Sequence, residues 1–422
     1  MHREAWPRLL ATLIRWTGGV ELAEDALAEA FARAAALPPG ERPDHPEAWL
    51  LTVARRVVVD AVRRDASLRR RLPVLGAHLV EAAGPGNPAA AGDGTPAGAT
   101  GTGDDEDPAL VAPGGDDRLG LLLLACHPDL PPADRLALSL RFVLGVPTAD
   151  LADVLLVEHA ALSARLTRAK RRLQRSGLRL APPADAAERD ARLPDLLDTV
   201  HLLYTTGHTA PSGTALGDAA TRRAALELAA AVHRLWPDEA EIAGLRGVLL
   251  LTEARAGVRV LDGGDLVTLE HADRRRWDRA LTTRGLVLAA RGLEGGGRYG
   301  LLAGIAGLHT VAPSWERTDW DRVVLLYDGL LARWPSPAAA LARLVALART
   351  AAGPERALRD LDALEAAAPL AGAARRQALA VRGHLLASAG RGPQARAALL
   401  AAAAAERNAA VRAHLERTAA EV

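Results

Sequence analysis

Aromatic side chains are scarce in this chain, 3% of 422 residues, with two phenylalanines and three tyrosines. Its cores must therefore be packed with Ala, Leu and Val, which favours helices. A single cysteine, Cys126, excludes an internal disulfide and a multi-cysteine zinc site. The chain is thus no stapled secreted scaffold, and a reducing cytoplasm fits. Long apolar runs are also missing: no stretch of about 20 residues is continuously apolar, and no membrane passage is expected. The opening MHREAWPRLLATLIRW is broken by charge and proline and lacks the core of a signal peptide. Neither sign of charge dominates, with Lys+Arg 52 against Asp+Glu 51, which excludes a uniformly basic histone-like protein and leaves the distribution to decide.

At 44.3 kDa the chain is too long for one ordinary domain, and two to four are expected at roughly 100–200 residues each. Apolar residues recur at helical spacing from Trp6 to Arg71, as in Leu22, Ala26 and Ala30 opposite Glu21, Asp25 and Glu29. Between Gly84 and Gly115 the sequence is dominated by Gly, Ala, Pro, Thr and Asp, too poor in apolar residues to repay its ordering entropy. Residues 73–117 are read as a flexible acidic linker, spanning roughly 35–40 Å end to end. Helical periodicity resumes at Asp117 and ends in a long basic helix from about Ala160 to Leu178. From Leu193 to Val422 the chain is again helical, broken by PSG, LDGGD, EGGGR, PSP and GP. The segments GPERALRDL at Gly353 and GPQARAALL at Gly392 are alike, at an interval close to that of tetratricopeptide-type helix pairs. The alternative is an Ala-rich bundle without true repeats.

Two segments concentrate arginine. In AWLLTVARRVVVDAVRRDASLRRR, Trp49, Leu50, Val53, Val57 and Val58 can form a buried face. Arg55, Arg56, Arg63, Arg64 and Arg69 to Arg71 crowd the other surfaces, opposed only by Asp60 and Asp65. Such a stripe favours phosphates, and a solvated basic face is the alternative. In PTADLADVLLVEHAALSARLTRAKRRLQRSGLR a short helix, a joint at Leu156 to Glu158 and a second helix have the spacing of a helix-turn-helix. His159, Ala160, Ala161, Ser163 and Arg165 would then lie nearest the bases, Lys170 to Arg172 mostly on phosphates, and Arg168 is a further DNA-binding candidate of the second helix. A generic pair of amphipathic helices is the other reading.

Catalysis finds little support. Cys126 and His127 are neighbours in sequence, whereas a nucleophile and its base must meet side chain to side chain. There is no HExxH pair, and His201 and His208 lack a clear third ligand. Gly263-Gly264 and Gly295 to Gly297 read as turns, not as a phosphate loop. No enzyme activity, cofactor or metal is expected, and Trp236, Trp277, Trp315, Trp320 and Trp334 are expected to pack.

Together, the two arginine-rich segments in this order resemble an RNA polymerase sigma factor of the extracytoplasmic-function class. ELAEDALAEAFARA resembles the helix that such factors lay on the polymerase clamp, which implies polymerase contacts for Glu24, Asp25, Glu29 and Phe31. AWLLTVARRVVVDAVRR resembles their minus-ten-reading helix, and Leu130 to Leu173 resembles the domain that reads the minus-thirty-five element. HLLYTTGH, PDEAEIAGLRGVLLLTEAR, LEHADRRRWDRAL and TDWDRVVLLYDGLLARWPSPAAAL resemble the tetratricopeptide-like extension of one subgroup. Arg56, Glu158, His159 and Ala161 stand where the family usually has Asn, Pro, an acid and Thr.

The resemblance implies an all-α chain in four parts: a region 2-like unit at 1–72, the linker at 73–117, a region 4-like unit at 118–180 and a helical extension at 193–422. Core RNA polymerase and promoter DNA would be its partners, with a regulatory protein partner at the extension and no membrane. The linker acids Asp104 to Asp107 would suit a basic polymerase channel, or serve as a solubilising spacer. An interaction scaffold with degenerate DNA-binding units is the rival reading of the whole chain.

Overall fold

The computed structural model is all-α and describes residues 2–38, 41, 43–82, 117–146, 148–155, 157–175, 180, 183, 185–260 and 265–422. Among them there is no strand, only two isolated bridges. The chain divides into two compact units, Met1–Thr148 with His159–Pro182, and Ala149–Glu158 with Pro183–Val422. No helix among the described residues is long and apolar enough to cross a membrane.

The N-terminal helices are α1 (His2–Thr17), α2 (Val20–Ala36), α3 (Pro46–Ala82), α4 (Asp117–Ala125), α5 (Pro132–Leu144), α6 (Thr148–Leu155) and α7 (His159–Arg175). The third helix runs on through Ala82, into the stretch expected to be linker, while residues 83–116, with the whole acidic run, lie outside the described residues. In the first unit, Trp6, Leu10, Leu13, Leu27, Leu50 and Phe142 are fully buried. Leu121 to Leu124 are buried in succession, so α4 is covered on every side rather than along one stripe.

Two chain reversals set this packing. Gly18 takes φ +65°, a conformation open to glycine, and lets α2 turn back along α1. Gly145 ends α5 in the left-handed region at φ 62°, and a Cβ there would lie 2.9 Å from Cγ of Trp6.

The second unit carries α8 (Ala186–His208), α9 (Ala219–Leu235), α10 (Ala240–Glu253), α11 (Arg279–Glu294), α12 (Arg298–Val311), α13 (Trp320–Arg333), α14 (Pro337–Leu347), α15 (Gly353–Ala367), α16 (Gly372–Ser388), α17 (Gly392–Ala405) and α18 (Ala409–Glu421). Aspartates start several of these helices. The amides of Glu188, Leu281 and Arg322 donate to Asp185, Asp278 and Asp319, satisfying first-turn donors that have no partner within the helix. Helices α10, α11 and α12 approach through Gly244, Gly292 and Gly300, where backbone meets backbone. The two similar GP segments open α15 and α17, with the proline in the first turn of each helix, where its missing N–H costs nothing. Buried Asn408 caps α18 and donates to Ala210 O and Ala215 O at 3.1 and 2.9 Å, tying the last helix to the loop after α8.

Three histidines of this unit are expected to make it acid-sensitive. Burial, helped by Arg298, lowers the pKa of His201 to about 4. Burial followed by Arg259 lowers His208 to about 3, and burial followed by Arg255 lowers His309 to about 4. Each takes up its proton more readily when unfolded, so its stabilising effect is complete above an unfolded value near 6.5 and is lost as the pH falls toward 4. Lowering the pH from 7 to 5 is expected to cost on the order of 1–2 kcal/mol per histidine. A melting temperature that does not change between those pH values would refute this.

Candidate nucleic-acid and polymerase interface

On α3, Leu50, Ala54 and Val58 turn inward and leave the arginines on the other surfaces. Arg56, Arg63 and Arg64 are exposed, and Arg64 Nε donates to Asp60 O at 3.2 Å one turn back. Arg55 is half-buried, with its guanidinium 5.7 Å from the ring centre of Trp16. Trp16, Leu22, Val58, Val59, Val62 and Arg63 line an open apolar recess beside this stripe.

On α7 the buried residues are Leu162, Leu166, Ala169 and Leu173, one helical stripe with Lys170 buried at its edge. His159, Arg168 and Arg171 are exposed, and Ser163 is half-buried. Arg165, expected among the bases, pairs with Asp134 at the start of α5.

Lys170, expected on phosphate, and Glu24, expected on polymerase, meet each other. Lys170 Nζ lies 2.7 Å from Glu24 Oε2, and Arg141 Nε of α5 lies 2.5 Å from Oε1. All three are buried, at 6% exposure for Glu24, 7% for Arg141 and 9% for Lys170. Burial by itself would raise the Glu24 pKa, but Arg141 and Lys170 outweigh it and hold the carboxyl below its ordinary value. Neighbouring Asp25 is exposed and lies 3.6 Å from Lys170.

Around this triad the same two helices meet again. Gln174 accepts from Val20 N at 3.3 Å and donates to Gly18 O at 3.1 Å, so α7 caps the start of α2. Arg171 stands 3.9 Å from Glu21. The Arg141 guanidinium also sits 4.4 Å from the ring centre of Trp6, which in turn packs against Phe31 at 5.6 Å. Glu29 is exposed and pairs with Arg33.

Sequence reasoning missed Arg141. The available signal was a lone arginine in the apolar run LALSLRFVL, which cannot be buried without an acid to meet it.

Residues 1–67 match the family described as Sigma-70 region 2, and residues 120–173 match the one described as Sigma-70, region 4. The chain belongs to the sigma-70 family of RNA polymerase sigma factors. Region 2 of this sigma factor thus holds α1, α2 and the basic half of α3, and region 4 holds α4 to α7. The Glu24 triad joins one region to the other. As a sigma factor it is not an enzyme; it binds core RNA polymerase and promoter DNA. Residues 192–293 match a family of unknown function, DUF6596. The sigma factor is also 34% identical over 429 residues to an uncharacterized protein of Rhizobium meliloti (strain 1021), covering 99% of this chain and 95% of the relative. No solved structure matches it.

Proposed function

We propose that this protein is a sigma factor of the extracytoplasmic-function class, acting in the cytoplasm, whose C-terminal tetratricopeptide-like helices regulate it through a protein partner. In this reading α2 docks on the polymerase clamp through Glu24, Asp25, Glu29 and Phe31. The arginines of α3 hold and read the minus-ten region, and α7 enters the major groove upstream. The observation that carries the reading is the sidedness of α3 and α7: each buries one apolar stripe within a matched sigma region and turns arginines outward.

The same structure supports a closed resting form. Glu24 and Lys170 cannot serve polymerase and promoter while they neutralise one another, so loading requires α2 and α7 to part. Polymerase would compete for Glu24 and promoter phosphates for Lys170.

Footprinting on duplex promoter DNA tests the placement of α7. Arg171→Ala should weaken binding evenly across sequences and reduce the log–log salt slope by about 0.9. Arg165→Ala should change which sequences are bound. Equal, sequence-blind losses in both variants would remove α7 from the groove.

A further inference from the structure

We propose that the C-terminal unit holds a binding site for a small oxyanion, a phosphate or carboxylate group, formed by Arg255 and Arg274 with Trp277, His309 and Trp315. What marks the site is a surplus of donors. Arg274 Nε and Nη2 and the indole nitrogens of Trp277 and Trp315 are buried N–H donors that find no hydrogen-bond partner among the described residues, and Nδ1 of His309, which donates in one of the neutral ring's two tautomers, finds none there either. Buried polar atoms are almost always partnered, so five such nitrogens together call for an acceptor. Arg255 is partly buried, and its guanidinium makes no hydrogen bond or ion pair with a described residue.

These groups are neighbours through the packing of α10 and α12 with the segments that follow them. The Asp278 amide donates to Ala254 O at 2.9 Å, which sets the turn carrying Arg274 and Trp277 against the end of α10 beside Arg255. Arg274 lies over Trp277 at 5.3 Å. His309 stacks on Trp315 at 5.8 Å and meets the edge of Trp320 at 5.3 Å. After burial, Arg255 and Arg274 both help to hold His309 neutral.

The nearby acids are committed elsewhere. Glu253 accepts from Tyr204 and Arg222 at 2.8 and 2.9 Å, Asp273 pairs with Arg275 at 3.0 Å, and Glu270 pairs with Arg349 at 3.2 Å. Glu316 is exposed and reaches Arg274 only through its charge. Arg259 is spent on His208 O and Thr209 Oγ1. The remaining guanidiniums and N–H donors suit an oxyanion, which offers several acceptors and a negative charge at once. A cation or a purely apolar ligand would leave the donors unanswered.

The test is calorimetric titration and thermal unfolding of the full chain, without polymerase, using inorganic phosphate and citrate against chloride of matched ionic strength. Failure here leaves the sigma-factor reading untouched. Saturable binding of either anion, with a rise in melting temperature of at least about 3 °C near saturation, is expected. A response to phosphate alone assigns a phosphoryl ligand, and one to citrate alone assigns a carboxylate. Arg255→Gln and Arg274→Gln should each weaken binding at least about 10-fold, and Arg255→Gln should melt no lower than the parent without anion, because an unpaired half-buried cation has been removed. If Arg255→Gln fails to fold, Arg274→Gln carries the comparison. The proposal is overturned if neither anion saturates by about 10 mM, or if the folded variants bind as tightly as the parent.

Discussion

Replacing Glu24 with alanine is expected to destabilise the first unit by about 3–5 kcal/mol, because it leaves Arg141 and Lys170 buried side by side with no counter-charge. Two cations that now share one carboxylate would repel each other in a setting that water reaches poorly. The expected readout is amide hydrogen exchange in α2, α5 and α7, accelerated more than about 100-fold, with the C-terminal helices unchanged. Replacing all three residues together, Glu24→Leu with Arg141→Met and Lys170→Met, should recover most of the loss, since apolar side chains of similar volume often substitute for a buried ion group at no cost. The triple variant separates structure from function: it keeps the regions joined while removing the charges that polymerase and promoter would compete for. An exchange rate in Glu24→Ala within a few-fold of the parent would show that the triad does not hold the two regions together in solution.

The second large effect is expected at Gly292. A Cβ there would lie 2.4 Å from Gly244 Cα and 2.6 Å from its nitrogen, distances at which backbone, not a flexible side chain, has to move. Gly292→Ala should therefore cost about 3 kcal/mol or more, lowering the melting temperature by roughly 6–12 °C. Gly307→Ala is the matched control in the same helix cluster. Its Cβ would meet Leu286 Cδ2 at 3.7 Å, an ordinary contact, and alanine is the better helix former. That variant should melt at or above the parent temperature. Equal melting of the two variants would contradict the close approach of α10, α11 and α12.

The contrast between these two sites shows what the sequence discloses. Periodicity locates α7 well, because Leu162, Leu166, Ala169 and Leu173 follow one another at helical spacing and all are buried. The glycine run Gly295 to Gly297 is also legible as a turn: Gly295 caps α11, and Gly296 takes φ +61°. Gly244, Gly292 and Gly300 are not, because a glycine inside a helical pattern looks the same whether it is tolerated or required by a neighbouring backbone.

Charge is harder still. Lys170 sits in a run of basic residues that local pattern assigns to phosphate, and only the partner distant in sequence, Glu24, reveals that it is buried. Arg165 and Asp134 repeat the lesson on a smaller scale. The oxyanion site is invisible in the sequence for the same reason. LEHADRRRWDRAL displays its arginines, but the acids that would pair with them are distributed by the fold.

Transcription with core RNA polymerase on genomic DNA fragments, with start sites mapped at single-nucleotide resolution, tests the central claim most directly. Adding the chain should create discrete starts preceded by a shared pair of upstream sequence elements, and the triple variant at Glu24, Arg141 and Lys170 should use the same elements less efficiently. The same transcripts with and without the chain would contradict the assignment of α3 and α7 to promoter recognition.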